Sequence, residues 1–197
     1  MRDEAAVTPA EQVRAELEAL ASLAGEVAAR HADEVARLAA RFARTLAQGG
    51  TLFFAGNGGS AADAQHVAAE YIVRYTRTRR ALPAVALTTD TSILTAAGND
   101  LGFEEVFARQ VEALVRVGDL LVLHTTSGES PDVIRAAQAA RAKGAGVVAL
   151  LGRGGGRLRE LVDDALVVPA GDTARIQEIH LAVEHVICQL VERELGV

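Results

Sequence analysis

Five short apolar runs, most of them separated by helix-like stretches, constrain the fold more than any other feature of the sequence. They lie at 51–55, 84–87, 120–123, 147–151 and 165–168. The runs are apolar throughout rather than at alternate positions, which is typical of strands that are covered on both faces. Strands that alternate with helices form parallel sheets. The sequence therefore predicts an α/β fold, a three-layer sandwich with a five-stranded parallel sheet between helices.

Long helical segments flank this alternation. Residues 10–48 carry apolar side chains at helical spacing, with Pro9 as a first-turn residue and Gly49-Gly50 as a stop signal, and they predict N-terminal helices. Residues 173–195 predict one closing helix. Together these segments carry more apolar surface than a five-stranded sheet needs. We therefore expect part of that surface to be buried against another subunit.

Length and composition fit one globular domain, because the chain has 197 residues of which 50% are hydrophobic and 23% charged. We predict a single domain over residues 1–197, with a helical extension at about 1–50 and a sheet-containing core at about 51–197. Cys188 is the only cysteine and cannot form an internal disulfide. Since the sequence also shows neither a signal-like start nor an apolar run of ~18 residues, we expect a cytoplasmic location and no membrane partner.

The charge balance argues against a nucleic-acid partner. The chain has 20 basic and 26 acidic residues, a net charge of −6, and 4% aromatic residues, so it has little attraction for a phosphate backbone and few stacking platforms. The cluster Arg74, Arg77, Arg79 and Arg80 is the local exception. It is interpreted either as a solvated loop edge or as a group that attracts an anionic small molecule.

Two loops of small residues follow predicted strands and precede predicted helices. They are Gly56-Asn57-Gly58-Gly59-Ser60-Ala61 and Thr125-Thr126-Ser127-Gly128-Glu129-Ser130. Ligands of parallel sheets bind outside the carboxyl ends of the strands, and helix N-termini bind anions. The first loop also fits the loose dinucleotide pattern, but the acidic residue expected about twenty positions later is missing from a mostly basic stretch. A phosphorylated small molecule is therefore favoured, with dinucleotide binding and ordinary glycine-rich turns as alternatives.

Metal-ligand spacing occurs on two of the predicted helices. His66 and Glu70 are four residues apart and share one helix face. Gln177 and His185 lie on the closing helix, about 80° apart in rotation and roughly 12 Å apart along its axis. If the two helices meet, one ion can join all four residues through nitrogen and oxygen donors that zinc accepts. In the alternative, His66 and Glu70 are a surface pair and His185 is a hydrogen-bonded core residue.

Further polar residues receive no firm role from pattern alone. Gln177, His180 and Glu184 are compatible with solvated positions on the closing helix. His124 ends a predicted strand beside the hydroxyl-rich loop, where it either lines the site or packs in the core. Asn99-Asp100 is assigned to a turn, because Asn and Asp are ordinary turn formers.

Four segments, in order along the chain, resemble one known family. They read GNGGSAADAQHVAAE with Arg74 shortly after, then LTTDTSILTAAGND, TTSGES and RIQEIHLAVEH. Over nearly the whole chain the sequence is similar to the sugar isomerase (SIS) fold and, within it, to the phosphoheptose isomerases. The resemblance implies an aldose-ketose isomerase that interconverts sedoheptulose 7-phosphate and D-glycero-D-manno-heptose 7-phosphate in heptose and ADP-heptose biosynthesis.

The resemblance also implies a role for each matching position. The predicted phosphate-holding hydroxyls are those of Ser60, Thr125, Thr126, Ser127 and Ser130. The rest of the predicted substrate-binding set is Asn57, Gly58, Gly59, Glu70, Arg74, Asn99, Asp100 and Gln177, with Asn57 and Asp100 on the sugar chain and Arg74 at the border of the pocket. One zinc ion per subunit is implied, with His66, Glu70, Gln177 and His185 as its ligands. Glu70 and His185 are the implied catalytic residues.

A homotetramer with sites at subunit boundaries is a further implication, and it fits the surplus apolar helix surface. The chain departs from the family in three places. Thr125 and Glu129 replace the first Ser and the Asn of the common loop STSGNS, and Ala174 stands where some relatives carry an acidic residue. A carboxylate at Glu129 repels a phosphate unless it turns outward or meets a cation.

Isomerisation through an enediol needs both a base and an electrophile. A zinc ion would polarise the substrate carbonyl, and Glu70 or His185 would move the proton between neighbouring carbons. Two alternatives remain: a non-catalytic SIS-fold regulator that binds phosphosugars or associates with a replication initiator, and an isomerase of another phosphosugar. The four predicted ligands favour an enzyme over the regulator, because a protein that only binds has no chemical need for them.

Overall fold

The computed structural model describes residues 7–197 and confirms the predicted sheet. Its strands are β1 (Leu52–Gly56), β2 (Ala84–Ala86), β3 (Leu120–Thr125), β4 (Gly146–Leu151) and β5 (Asp164–Val167). Every pairing is parallel, and the strand order is β2-β1-β3-β4-β5. The chain runs from β1 outward to β2 and then crosses back to β3. The order therefore reverses between β1 and β3, where α/β sheets open a crevice for ligands.

Helices cover both faces of the sheet, as predicted. They are α1 (Pro9–Ala47), α2 (Gly59–Ile72), α3 (Thr91–Asp100), α4 (Ala108–Leu114), α5 (Pro131–Ala142) and α6 (Thr173–Leu195), with short 3₁₀ segments at Phe103–Glu105, Arg153–Gly155 and Arg157–Leu161. Leu52 and Phe54 of β1 pack with α1, α2 and α6. Phe53 and Ala55 point to the opposite face and pack with α3, α4 and α5. The result is a three-layer sandwich with a separate apolar core on each side of the sheet.

A single helix of 39 residues, α1, forms the N-terminal region where the sequence predicted helices. Thr8 caps its start, and the Glu11 side chain accepts a hydrogen bond from the Thr8 amide at 2.8 Å, which completes a capping box. Nothing between Pro9 and Ala47 breaks the helix, because Gly25 alone only weakens it. Its second half is buried on the core, whereas Val13 and Leu17 in its first half are exposed.

The first and last helices pack together, since α1 lies along α6 and also contacts β1 and β5. The N-terminal segment therefore belongs to one helical layer of the sandwich. The division into an extension at about 1–50 and a core at about 51–197 stays a prediction. Over the described residues, none of the helices combines the length and the apolar character that crossing a membrane requires.

Candidate functional site

The two loops of small residues meet at the carboxyl edge of the sheet, where β1 and β3 lie side by side. Together with the start of α6 they line a pocket of about 250 Å³. The lining residues are Asn57, Gly58, Gly59, Ser60, His124, Thr125, Thr126, Ser127, Ser130, Thr173 and Gln177. The structure thus brings together all the predicted substrate-binding residues of both loops, with Gln177 beside them.

Two helices begin at this pocket without a side-chain cap. Gly58 is the N-cap of α2 at φ 57°, and Ser130 is the N-cap of α5, but neither caps its helix through a side chain. The other helices of ten residues or more are capped by the side chains of Thr8, Asp90 and Asp172. An uncapped N-terminus leaves backbone N–H donors and the positive end of the helix dipole available to an anion. The pocket is therefore suited to a phosphate group.

Hydroxyl oxygens of the second loop stabilise its backbone by accepting hydrogen bonds from backbone amides. Thr125 Oγ1 accepts a hydrogen bond from the Gly128 amide at 3.2 Å, and Ser127 Oγ accepts one from the Glu129 amide at 3.2 Å. Thr125 Oγ1 and Ser127 Oγ also lie 3.4 Å apart, so one of these two hydroxyls donates to the other. The second hydroxyl keeps its O–H proton for a ligand. Gly128 has φ 67°, and a Cβ there would lie 1.9 Å from the Gly155 oxygen, so the turn requires glycine.

Glu129 is directed away from the pocket and meets a cation. Its Oε2 accepts a hydrogen bond from Arg157 Nε at 2.7 Å, and its Oε1 accepts one from the Arg157 amide at 2.8 Å. The hydrogen bonds from Arg157 hold the pKa of this exposed carboxyl below its usual range. The departure from the family loop is thereby compensated, since the negative charge is paired outside the anion pocket.

His66, Glu70 and His185 form a compact group on α2 and α6, which run side by side. His66 Nε2 lies 2.9 Å from His185 Nε2 and 3.4 Å from Glu70 Oε1. One donor atom from each residue lies within 4.8 Å of the others. Two imidazole nitrogens and a carboxylate oxygen are a donor set that zinc accepts at catalytic sites, where a further position stays open. The residues present therefore fit the implied metal.

Gln177 lies apart from this group, at the start of α6. Its side chain packs against the backbone of Gly59, where an added Cβ would lie 2.4 Å from Gln177 Oε1. It thus lines the anion pocket, eight residues before His185 on the same helix. Its role as a fourth metal ligand stays a prediction.

Four predicted substrate-binding residues lie outside this chain's own pocket: Glu70, which belongs to the metal-binding group, and Arg74, Asn99 and Asp100. Arg74 is exposed just beyond the carboxyl end of α2, roughly 22 Å along the helix direction from Gly59. Asn99 and Asp100 are exposed, and Asn99 Nδ2 donates to Asp100 Oδ1 at 2.6 Å. The turn predicted for this pair is wrong, because α3 continues to Asp100 after the side chain of Asp90 caps its start.

A buried polar pair connects β3 to α6 beneath the pocket. His124 Nε2 lies 2.5 Å from Glu184 Oε1, and the His124 ring stacks on Phe54. Burial opposes protonation of His124, but the charge and hydrogen bond of Glu184 outweigh it and raise the pKa of the imidazole. His124 therefore both lines the site and packs in the core.

His180 is also buried on α6, and its Nε2 donates to the Leu151 carbonyl at 3.1 Å. Burial lowers the pKa of His180 to about 4. The solvated positions considered for His180 and Glu184 are therefore wrong. The physical reason is that α6 packs against the sheet, α1 and α2, which together cover most of its circumference.

The basic cluster contains one buried member, Arg79. Its side chain is 2% exposed and pairs with the 3% exposed Glu192 at 2.9 Å. It also donates to the backbone carbonyl oxygens of Glu70 at 2.7 Å and Tyr71 at 2.8 Å, and so caps the carboxyl end of α2. The solvated-edge interpretation is wrong for Arg79 and holds for the exposed Arg74, Arg77 and Arg80.

Sequence reasoning missed three residues around the site. Asp132 accepts a hydrogen bond from Asn57, Tyr75 stacks on His185 with ring centroids 5.5 Å apart, and Thr173 lines the pocket. The only signal for Asp132 was its place after Pro131 at a helix start, which also fits an ordinary first-turn acid. Tyr75 follows α2 in a polar stretch that carries no pattern.

Comparisons with known proteins agree with this geometry. The family model for the SIS domain matches residues 17–152. The phosphoheptose isomerase of Roseiflexus sp. (strain RS-1) is 52% identical to this chain, and the match covers 91% of each chain. The phosphoheptose isomerase of Geobacter sulfurreducens is also 52% identical, and the match covers 93% of this chain and 95% of the relative. The solved phosphoheptose isomerase GmhA from Neisseria gonorrhoeae has a TM-score of 0.90 at 42% identity, over 94% of this chain and 100% of that one. The chain belongs to the SIS domain family and, within it, to the phosphoheptose isomerases.

Proposed function

We propose that this enzyme interconverts sedoheptulose 7-phosphate and D-glycero-D-manno-heptose 7-phosphate. The observation that carries the proposal is the pairing of two sites along α2 and α6. An anion pocket lies where Gly59 meets Gln177, and the group of His66, Glu70 and His185 lies farther along the same two helices. The names of the relatives support this substrate.

The separation of the two sites suits a long sugar phosphate. His66 follows Gly59 by seven residues, which is about 10 Å along a helix. His185 follows Gln177 by eight residues, which is about 12 Å. A phosphate held by the hydroxyl loop therefore leaves the far end of an open sugar chain near the metal-binding group. A seven-carbon chain with its phosphate and carbonyl at opposite ends fits this spacing better than shorter ketose phosphates.

The chain's own residues supply the remaining chemistry. The free N–H groups of α2 and α5 and the loop hydroxyls hold the phosphate. His66, Glu70 and His185 would hold zinc, which when bound polarises a carbonyl. Glu70 and His185 are the groups that can take a proton from one carbon and return it to its neighbour. Tyr75, stacked on His185, keeps that imidazole in place.

A homotetramer is part of the proposal. Arg74 follows Glu70 by four residues, beside the metal-binding group, whereas Asp100 lies outside the chain's own pocket and would need another copy to bring it to a site. An apolar groove between α1 and α6, which includes Val27 and Val186, offers a surface for a second copy. The free thiol of Cys188, which is buried, is the basis for placing the enzyme in the cytoplasm.

The experiment is incubation with sedoheptulose 7-phosphate and a panel of shorter ketose phosphates, following aldose formation with and without zinc. We expect turnover of the seven-carbon substrate, and a loss of roughly 10²-fold or more in Glu70→Gln and in His185→Ala. Glu194→Gln, at an exposed position of α6, is the matched control and should keep wild-type turnover. Absence of aldose from every sugar in the panel, despite binding, would favour a non-catalytic regulator.

Zinc has its own test. Chelator-treated enzyme should lose turnover and regain it with added zinc, because the donors leave an open position for substrate. Normal turnover with less than about a tenth of an equivalent of any metal would contradict the zinc assignment.

A further inference from the structure

Asp132 is a buried carboxylate that connects the two loops of the pocket. It is the second residue of α5 and only 3% exposed. Its Oδ2 accepts a hydrogen bond from Asn57 Nδ2 at 2.8 Å. Asn57 belongs to the loop after β1, and Asp132 follows the loop after β3. The bond therefore spans the crevice between the two strands and fixes a side chain that lines the pocket.

A role in helix stability alone does not account for this burial. A first-turn acid is stabilised by the helix dipole even when it is exposed to water, so the dipole does not require this burial. Burial raises the pKa of Asp132, and the hydrogen bond from Asn57 opposes that rise. A negative charge at this place also disfavours an anion nearby. The donors that face this carboxyl are the Asn57 amide and the backbone N–H groups of Val133 and of Asp132 itself, and among them Asn57 lines the pocket.

The hydrogen bond to Asp132 determines which way the side-chain amide of Asn57 is turned. An ionised carboxylate can only accept, so the amide NH₂ of Asn57 is the end that faces Asp132. Among residues 7–197, no donor reaches Asn57 Oδ1, which leaves the carbonyl oxygen available to a ligand. The rest of the pocket offers mostly hydroxyl and N–H donors. Asn57 therefore contributes an acceptor, which suits a sugar hydroxyl and repels a phosphate oxygen.

We propose that Asp132 is a positioning residue that orients the Asn57 amide so that Asn57 Oδ1 accepts a hydrogen bond from a hydroxyl of the sugar chain. This inference rests on the proposed function, because it needs a sugar phosphate in the pocket. The phosphate on the hydroxyl loop and the sugar chain beside Asn57 belong to the proposed function, and the inference adds the role of Asp132. Asp132 itself touches no substrate.

The test compares Asp132→Ala, Asp132→Asn, Asn57→Ala and the double variant, with Asp33→Ala on an exposed turn of α1 as the matched control. Loss of the oriented acceptor should lower kcat/KM for sedoheptulose 7-phosphate about tenfold in Asp132→Ala. Asp132→Asn should recover most of this loss, because its amide oxygen still accepts from Asn57 Nδ2. The double variant should be no worse than Asn57→Ala, since the two residues act as one unit.

Inorganic phosphate separates positioning from general damage to the site. Its inhibition constant should be unchanged or lower in Asp132→Ala, because the phosphate subsite stays intact and a nearby negative charge is gone. An equal weakening of phosphate and sugar phosphate would overturn the inference. So would additive losses in the double variant, or an Asp132→Asn variant as impaired as Asp132→Ala.

Calorimetric binding of sedoheptulose 7-phosphate and of phosphate keeps this result separate from the proposed function. If the wild-type enzyme turned over no sugar phosphate, the proposed function would fail. The binding of the same variants would still decide whether Asp132 orients Asn57. A tenfold weaker affinity for the sugar phosphate alone in Asp132→Ala supports the inference, and an unchanged affinity refutes it.

Discussion

Two histidines on α6, His180 and His185, differ in burial and therefore in what each can do. His185 is half-buried beside His66 and Tyr75, where its ring nitrogen is available to a metal or a proton. His180 is buried, and its pKa is lowered to about 4 by that burial. The helix thus presents one imidazole to the site and keeps another neutral in the core.

The neutral state of His180 makes stability depend on pH. Its folded pKa of about 4 is below the unfolded value of 6.5, so the unfolded chain binds a proton that the folded chain excludes. The stability contribution is therefore complete above pH 6.5 and is lost as the pH falls towards 4. Between pH 7 and pH 5 the loss should be about 2 kcal/mol.

Urea unfolding of the wild type and of His180→Gln at pH 7, 6 and 5 measures this effect. Gln can still donate to the Leu151 carbonyl but does not titrate, so its free energy of unfolding should fall less with acid. His124 and the carboxyl groups titrate in both proteins, and their effects cancel in the comparison. If the free energy of unfolding fell equally with pH in the two proteins, the buried neutral state of His180 would be contradicted.

Helix α2 carries both halves of the site, since its first turn faces the anion pocket and its third and fourth turns present His66 and Glu70. Its carboxyl end has no basic residue of its own in the last turn. Arg79 substitutes for one by donating to the carbonyl groups of Glu70 and Tyr71 while it pairs with Glu192 of α6. Burial opposes ionisation of Glu192, but hydrogen bonds from the Tyr75 amide and Arg79 hold its pKa below the usual value.

Arg79→Met should destabilise the fold by roughly 3–5 kcal/mol, because it removes one partner of a buried ion pair. Arg77→Met, at an exposed position of the same segment, should change stability by less than about 0.5 kcal/mol. The measurement is urea unfolding of both variants at pH 7. Equal stability of the two would show that the buried pair does not hold α2 to α6.

Elements were more predictable from the sequence than the contacts between them. The bounds of α6 followed from apolar periodicity, the positions of the strands from short continuous apolar runs, and the site loops from their glycines and hydroxyls. Contacts such as Asn57 with Asp132, or Glu129 with Arg157, join residues 75 and 28 positions apart. No local pattern encodes such pairs, because they depend on which strands become neighbours in the sheet.

At the scale of the whole molecule, the fold leaves apolar helix surface that the sheet does not cover. Val13, Leu17 and Val186 are exposed on α1 and α6. A family resemblance predicted both zinc and the tetramer, and the described chain brings three of the four predicted ligands into one group. Asn99 and Asp100 are exposed outside the pocket of their own chain, so their predicted role would need a neighbouring copy.

Val186→Glu should dissociate the proposed tetramer, because it places a charge in the apolar groove between α1 and α6. Gln48→Glu, at the exposed end of α1, is the control for added charge. Light scattering coupled to size-exclusion chromatography gives the mass, and turnover is measured on the same fractions. A monomeric Val186→Glu with full activity would contradict sites completed by neighbouring copies.

Proton transfer at Glu70 and His185 is tested most directly by incubating the zinc-loaded enzyme with sedoheptulose 7-phosphate in deuterated water and following the sugar by proton NMR. If the base exchanges the abstracted proton with solvent before delivering one to the neighbouring carbon, the wild type should form an aldose that carries deuterium on the carbon next to its carbonyl. Glu70→Gln should neither form the aldose nor incorporate deuterium at a comparable rate. Deuterium incorporation and aldose formation at wild-type rates in both Glu70→Gln and His185→Ala would contradict the account.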